Sequence, residues 1–536
     1  MMKYKYILPL CVVGLLTACD DDLGNYTYHD INEVSFLDPE TGTSYTRIAY
    51  VDSLNITPQI ESTLSKDESN YEFEWKFLPA GKDFSDIDDI DATVVSRERN
   101  LKMFVTLSAG DYSAFYTITD KNTGIKWINR FNLTVKSLTG EGWMILSDSN
   151  GKPRMDMIFN STEDDDIVAH DIWADCEYDA GKPIRLIYNY HLNETASLLV
   201  TDKGTYHLDK TDLHFGDDNN LKWRFGATPE SISVVASGMS QAYSAQSVWA
   251  IIDDNSDLYM LNRSESGSVF EYPINSIDGK QPFKAAPFIG ISYDSNYSGG
   301  SYGCIPLVLY DATNRQFLNL KGGESYPSVM TFTGTELFPA KTGYDLVHME
   351  STRGAGLTGC IYAILKDPNS SRHFFCEIKP CAKVISAQYW WENDTYQEYN
   401  KQNRYGEILG EGLENATKFA CHYLYPYVFY VSGNSIYQFD MGHPDQVAQK
   451  VLSFPGEQIK VMRFNPFVGY IAYADWERER GYQLIVGTTV DGEPDDKCGV
   501  MRVYNVPNLM EPLVLKKEFK DLGKIIDIVY KEQSKY

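Results

Sequence analysis

Residues 143–158 read WMILSDSNGKPRMDMI: an apolar run, a polar turn of Ser, Asp, Asn and Gly, and a second apolar run. Short runs of aliphatic and aromatic residues bounded by such turns read as paired β-strands. The same grammar returns at 185–208 (RLIYNYHLNETASLLVTDKGTYHL), 247–272 (SVWAIIDDNSDLYMLNRSESGSVFEY), 304–320, 360–378, 420–439 and 467–504. Each unit is a buried strand, a turn, and an aromatic-rich strand. Their centres recur at roughly 40 to 65 residues, a spacing that signals stacked repeats.

One more apolar strand, Lys524-Ile-Ile-Asp-Ile-Val-Tyr530, stands alone after the last unit. A ring of small sheets needs such a strand to complete the sheet begun by the first repeat, and closing the ring buries faces and edges that would otherwise lie bare. Residues 139–536 are therefore expected to form an all-β β-propeller of about seven blades. Further β-sandwiches and a solenoid are the competing arrangements. The Gly-His and Trp-Asp signature of WD repeats is missing, as are the Ser-x-Asp-x-Gly-x-Thr-Trp boxes of sialidases. Helix signal is weak, and stretches such as Gly442–Lys450 offer at most short turns.

Upstream, seven short runs fall within 32–138: Glu33–Leu37, Ser53–Ile60, Tyr71–Leu78, Thr93–Ser96, Leu101–Leu107, Tyr112–Thr119 and Lys126–Val135. Turn residues at Pro39, Gly42, Pro79-Ala-Gly81, Gly110-Asp111 and Asn122-Thr-Gly124 separate them. Short alternating strands with frequent turns predict an immunoglobulin-type β-sandwich. In Tyr71-Glu-Phe-Glu-Trp75-Lys-Phe77 the aromatic residues share one face, which makes Trp75 the expected core tryptophan.

The start of the chain is read as an address. Lys3 and Lys5, the apolar run Ile7–Leu16 and the small residues before Cys19 match the regions of a secretory signal. A membrane span needs roughly 20 apolar residues, more than this run supplies. Leu16-Thr-Ala-Cys19 resembles the lipobox of bacterial lipoproteins, which implies a signal peptide over 1–18, acylation of Cys19 and a polar leash over 19–31. Asp20, Asp21 and Asp22 resemble the surface-export signal of lipoproteins from the Bacteroides group.

A family resemblance follows from these pieces. Gly110-Asp-Tyr112, Tyr116-Thr-Ile-Thr-Asp120, Gly124 and Phe131-Asn-Leu-Thr-Val135 are similar to the closing hairpin of PKD domains. With the lipobox and the lead-in Leu23-Gly24-Asn25-Tyr26, residues 19–138 resemble the PKD-like lipoproteins of Bacteroidota. The PKD strand Trp-Asp-Phe-Gly is replaced here by Trp75-Lys-Phe77-Leu78, a departure that makes the domain a relative. The resemblance implies an outer-membrane protein exposed at the cell surface, working beside a starch-utilisation-type importer.

Composition narrows the function. The formal charge of −26 over 536 residues argues against nucleic acid as a partner. Cys11 falls in the signal and Cys19 is the anchor, which leaves Cys176, Cys304, Cys360, Cys376, Cys381, Cys421 and Cys498. An odd, irregularly spaced set does not make a disulfide framework. Cys376 and Cys381 are spaced to bridge a strand end, but buried small hydrophobic thiols are the favoured reading.

Catalytic motifs are thin. Gly299-Gly-Ser301-Tyr-Gly303 lacks the strand-to-helix elbow of a serine nucleophile, and Gly354-Ala-Gly356-Leu-Thr-Gly359 precedes a strand where a dinucleotide site would open a helix. The nine histidines show no ligand spacing. The acidic runs Asp86–Asp91, Glu163–Asp166 and Asp491–Asp496 have oxygen ligands of the kind that hold calcium, without the full register of a calcium loop. No other cofactor is expected.

Aromatic loops stand out instead. Tyr389, Trp390, Trp391, Tyr396 and Tyr399 crowd one polar stretch, and Tyr293, Tyr297 and Tyr302 another of Tyr/Ser/Gly composition. Flat aromatic faces flanked by Asn, Gln and Arg suit sugar rings or extended peptides. The expectation is a binding or accessory protein of a glycan or peptide uptake system. A propeller-type glycosidase or lyase and a scaffold that binds only partner proteins are the alternatives. Intact-mass analysis of the native product is expected to show a chain starting at an acylated Cys19, and Cys19→Ser to move the protein out of the membrane fraction. An unmodified thiol at Cys19 would rule out the anchor.

Overall fold

The computed structural model describes residues 31–37, 44–49, 51–64, 66–79, 92–160, 166–189, 196–240, 248–262, 267–291, 307–320, 324–352, 359–380, 382–385, 395–398, 400–465 and 475–532. These residues are nearly all strand and turn, with one short α-helix, Asp475–Arg478. No helix among them is long and apolar enough to cross a membrane. The chain divides into two compact units, which meet between Lys136 and Ser137 in the sequence.

The first unit holds a five-stranded sheet in the order Ser44–Ile48, Lys126–Lys136, Gly110–Asp120, Tyr71–Pro79, Thr93–Ser96. Two strand pairs, Val34–Phe36 with Ile60–Ser62 and Ser53–Ile56 with Leu101–Phe104, contribute to the same core. Trp75 lies at its centre, 1% exposed, stacked on Tyr116 at 4.1 Å, with Nε1 donating to the Glu98 carbonyl at 2.9 Å. The expected run Ser53–Ile60 is two strands, because Pro58 interrupts it and has no N–H to give a ladder. Ser44–Ile48 was not expected, since its alternation carries few apolar residues; it pairs in parallel with Lys126–Lys136.

The PKD-like hairpin has a physical basis. Asp120 Oδ1 accepts from the N–H groups of Asn122 (2.7 Å) and Thr123 (3.1 Å), and Gly124 turns the chain at φ 73°. A side chain other than glycine is strained at such a φ. Tyr112 donates its hydroxyl to the Ser108 carbonyl at 2.8 Å, pinning the other end of the strand.

Among the described residues the second unit holds seven sheets of three or four strands in chain order, beside two two-stranded pairs, Ser276–Ile277 with Gln281–Pro282 and Ala382–Ile385 with Thr395–Glu398. The first has the order Asp166–Ala169, Lys152–Asn160, Gly142–Ser149, Ile525–Lys531, so the strand that stood alone in the sequence pairs with the first repeat. The second is Pro183–Asn189, Ala196–Thr201, Gly204–Leu208; the third, Val234–Met239, Val248–Asp253, Leu258–Asn262. The fourth is Leu307–Asp311, Gln316–Leu320, Ser328–Val329, flanked by Gly290 bridged to Val308. The fifth is Asp345–Ser351, Ile361–Lys366, His373–Lys379, Lys401–Ile408. The sixth is Lys418–Cys421, Tyr427–Ser432, Ser435–Asp440, Gln449–Ser453; the seventh, Glu457–Arg463, Leu484–Val490, Gly499–Asn505, Val514–Leu522. The seventh therefore begins ahead of the expected 467–504, and Asp475–Arg478 within that range is helical.

Each sheet shares an apolar core with the next. In Ile361–Lys366, Ile361, Ala363 and Leu365 pack toward the fourth sheet, while Tyr362 and Ile364 pack toward the sixth. In Gly142–Ser149, Met144 and Leu146 join the second sheet, and Trp143 and Ile145 join the seventh. A strand covered on both faces is apolar at every position, which is why these strands read as unbroken runs.

The outer edges of the leading strands are closed by side chains from neighbouring sheets. Asp527 Oδ2 accepts from the Leu186 N–H at 3.0 Å, and Arg185 donates to the Val235 carbonyl at 2.8 Å. Ser351 Oγ accepts from Ile291 N–H at 2.6 Å, Glu350 accepts from Cys421 N–H, and Arg463 donates to the Ile528 carbonyl at 2.8 Å.

Among the described residues Cys176, Cys360, Cys376, Cys421 and Cys498 are free thiols, so Cys376 is a buried thiol and not one end of a bridge to Cys381. Cys376 is fully buried in a core strand, and burial pushes its thiol well up. Replacing Trp75 by alanine is expected to destabilise the first unit by about 3–5 kcal/mol, since nothing nearby can collapse into the space. Urea denaturation followed by tyrosine and tryptophan fluorescence measures this, and a loss below about 1 kcal/mol would show that Trp75 does not anchor the core.

Candidate functional site

A cleft opens between the first and seventh sheets, lined by Trp143, Val503, Phe519, Lys516 and Lys517 and by Trp476, Glu479, Arg480 and Gln483. Its enclosed space is small, about 30 Å³, and the rest of it is open to solvent. Trp143 and Val503 come from double-faced core strands, and Phe519 and Lys517 from the outermost strand of the seventh sheet. The roof is the helical turn 475–482.

Arg480 is the centre of the arrangement. It is 5% exposed and lies between two rings, 4.8 Å from Trp476 and 5.0 Å from Tyr530. It donates to the Tyr530 hydroxyl, which donates in turn to Glu141 Oε1 at 2.8 Å. Arg480 and Glu141 also form a buried ion pair at 3.6 Å. A guanidinium held between aromatic faces keeps its plane, so the Trp476 ring is fixed as a wall. Trp143 meets Tyr530 edge-on at 4.9 Å. Gln483 donates to Asn505 at 2.9 Å, and Lys517 pairs with Asp166 at 2.8 Å, which ties together the outer strands of the two sheets.

The roof is fastened through His422. Its Nδ1 accepts from the N–H groups of Leu424 (3.1 Å) and Tyr425 (2.9 Å), so Nε2 carries the proton and donates to the Tyr482 carbonyl at 3.1 Å. Burial pushes this imidazole down to about 4.

An aromatic wall with amide, carboxylate and ammonium groups at its rim suits the flat face of a sugar ring or an extended peptide. The aromatic residues expected from the sequence are not among the described residues that line it. Tyr293, Tyr297, Tyr302, Tyr389, Trp390, Trp391 and Tyr399 lie outside the described residues, as does Cys19. Tyr396 sits on Thr395–Glu398, opposite Val384. Sequence reasoning missed Trp476 and Arg480, because Asp-Trp-Glu-Arg-Glu-Arg-Gly-Tyr carries no motif and lies inside a unit read as strands.

Of the other constellations, the acidic run Asp491–Asp496 resolves into local structure. Asp86–Asp91, Glu163–Asp165 and Gly299–Gly303 lie outside the described residues. Asp491 accepts from Gln458 at 2.9 Å and Asp495 pairs with Lys524 at 3.1 Å. Among the described residues no group of three His, Cys, Asp or Glu side chains could hold a metal ion. Gly359 leads into the strand Ile361–Lys366, with no helix for a dinucleotide.

Comparison with known proteins adds one assignment. Residues 19–182 match the model of the PKD-like family. No curated protein matches the chain. Among solved structures, a quinonprotein alcohol dehydrogenase-like protein from Bacteroides thetaiotaomicron is 11% identical, covering 93% of this chain and 97% of its own, with a TM-score of 0.36. A protein from Lactobacillus plantarum is 10% identical over 73% of this chain and 100% of its own, with a TM-score of 0.38. The SapL1 lectin in complex with alpha methyl fucoside is 11% identical over 63% and 96%, with a TM-score of 0.28.

The His422 geometry sets a pH dependence. A proton on Nδ1 would face two N–H donors, so the folded state excludes it while the unfolded chain takes it up near its ordinary value of 6.5. The stabilisation is complete above that value and is lost as pH falls toward about 4. Urea midpoints between neutral pH and about pH 4 are expected to fall more steeply for the parent than for His422→Asn, whose side chain has no such proton to exclude. Equal slopes would show that His422 does not titrate with folding.

Proposed function

We propose that the seven sheets are the blades of a β-propeller closed by Ile525–Lys531, carried at the cell surface by a lipid on Cys19. The unit binds glycan or peptide for a nutrient-uptake system in the outer membrane. Closure is supported by the run of shared cores, which passes from each sheet to the next and from the seventh back to the first. The PKD-like match over residues 19–182 supports a domain set between anchor and propeller. An importer of the starch-utilisation type is the expected neighbour in the membrane.

The observation that carries the binding role is the cleft at the closing seam. Trp476 and Phe519 supply apolar faces, while Glu479, Gln483 and Lys516 supply polar groups at the rim. Arg480, locked by Tyr530 and Glu141, holds the Trp476 wall in place before any ligand arrives. Preorganisation of this kind lowers the ordering entropy of binding. The aromatic loop of Tyr389, Trp390, Trp391, Tyr396 and Tyr399 is the second contact surface for a ligand longer than one ring, with Tyr293, Tyr297 and Tyr302 as a third.

Affinity electrophoresis against a panel of neutral polysaccharides, followed by calorimetry on the best ligand, tests the reading. Trp476→Ala is expected to weaken binding at least about tenfold with unchanged melting of the seven-sheet unit. The triple alanine variant of Trp390, Trp391 and Tyr396 is expected to lower affinity for long chains more than for short ones. Retention of full affinity by Trp476→Ala would remove the cleft as the site.

A further inference from the structure

The segment that follows the second sheet sets a tryptophan in the open and holds it there. Leu221–Arg224 is a 3-10 turn capped by Asn220, whose side chain accepts from the Lys222 N–H at 3.1 Å. The turn is pinned at both ends. Asn220 bridges to Tyr206 of the second sheet, and Phe225 bridges to Phe270, whose N–H donates to the Arg224 carbonyl at 2.8 Å. Leu221 and Phe225 are buried in the core shared by the second and third sheets. Trp223, between them, is 51% exposed.

The indole is not free to swing. Its Nε1 donates to the Asp217 carbonyl at 2.7 Å, and the Lys222 ammonium lies 4.7 Å from the ring centre. Lys222 pairs in turn with Asp217 Oδ1 at 3.7 Å, and its side chain is only 21% exposed, so the lysine is the floor and the open side of the ring meets water. A single apolar side chain on a surface is ordinary. A ring clamped through its only polar atom and one of its faces is different, because a ligand that stacks on it has no rotamer left to order. The turn itself is anchored by Leu221 and Phe225 and does not need the clamp.

The surroundings select the occupant. The ring is an island among Asp217, Asp218 and Arg224, all exposed and charged, whereas a protein-docking patch is contiguous and apolar. A cation is disfavoured on a ring that already holds the Lys222 ammonium, and an anion is disfavoured by the two aspartates. A neutral ligand with a flat apolar face and a polar edge fits, which is the chemistry of a neutral sugar ring. Tyr272 is 77% exposed and follows Phe270 by two residues on the bridged segment, so its Cα lies within about 20 Å of that of Trp223. That reach spans a few sugar units.

We propose that Trp223, with Tyr272 as its second contact, is a stacking site for a chain of neutral sugars beside the outer strand of the second sheet. The site is separate from the cleft between the first and seventh sheets and does not depend on what the cleft binds.

Affinity electrophoresis of the full chain through gels containing soluble α-glucan, β-glucan, xylan or mannan tests it. At least one polymer is expected to retard the parent, and Trp223→Ala to lower affinity for that polymer at least about fivefold. Trp223→Phe is expected to keep part of the binding and Tyr272→Ala to lose less than Trp223→Ala. Lys222→Ala leaves the indole in place but unclamped, and a milder loss is expected there too, which a bystander ring would not show. The same losses are expected in a Trp476→Ala background, so the cleft can fail without this site and this site without the cleft. The proposal is overturned if no polymer retards the parent, or if Trp223→Ala and Tyr272→Ala are retarded as much as their parents in both backgrounds. It is equally overturned if Trp223→Ala keeps full polymer binding but loses a protein that co-purifies with the parent from native membranes, since the ring would then be a protein contact.

Discussion

Burial of both faces of each small sheet is the constraint from which the second unit follows. A sheet of three or four short strands has too little area to hold a core alone. Here each middle strand sends alternate side chains to opposite neighbours, so no sheet is complete without the two beside it. The leading strands then have one edge with no ladder partner, and unpaired backbone groups there would be destabilising. Polar side chains fill that role: Asp527 and Arg463 around the closing strand, Arg185 toward the third sheet, Glu350 and Ser351 around the fifth. Buried Lys531 adds to the seam, donating to the carbonyls of Thr139, Gly140 and Lys210.

The same constraint explains what could be read from the chain. Strands such as Trp143–Leu146 and Ile361–Leu365 are apolar at every position, so they were legible as buried strands, and the isolated Lys524–Tyr530 was legible as a partner for the first repeat. In the first unit the aromatic alternation around Trp75 was equally plain. Other features left no such pattern. Ser44–Ile48 is a sheet edge with two of its five residues exposed, and Pro58 splits one expected strand in two. The leading strands carry charged residues among apolar ones, because they must answer backbone groups next door. Their clamps depend on residues far apart in sequence, such as Leu186 with Asp527.

The cleft was hidden for a related reason. Its walls come from the first and seventh sheets, at opposite ends of the unit, and its roof from a polar turn with no motif. The ladder between Gly142–Ser149 and Ile525–Lys531 sets Trp143 against Tyr530, whose ring lies against Arg480. The site is thus a product of the seam, and His422 in the sixth sheet holds its roof through one carbonyl. Charge follows a similar division. The acidic excess is spread over the chain, while Arg480 and Arg463, buried and half-buried, are paired with Glu141 and Asp527.

The interdependence of the sheets is most directly measured by hydrogen exchange of the intact chain under conditions where only the native state is populated. With the ring closed through Ile525–Lys531, the amides of that strand should be as protected as those of Gly142–Ser149 and Leu484–Val490, and all three should open together as denaturant is raised. Exchange of Ile525–Lys531 well ahead of the other two would mean that the strand is a loose appendage and that the seven sheets do not form a closed cooperative body.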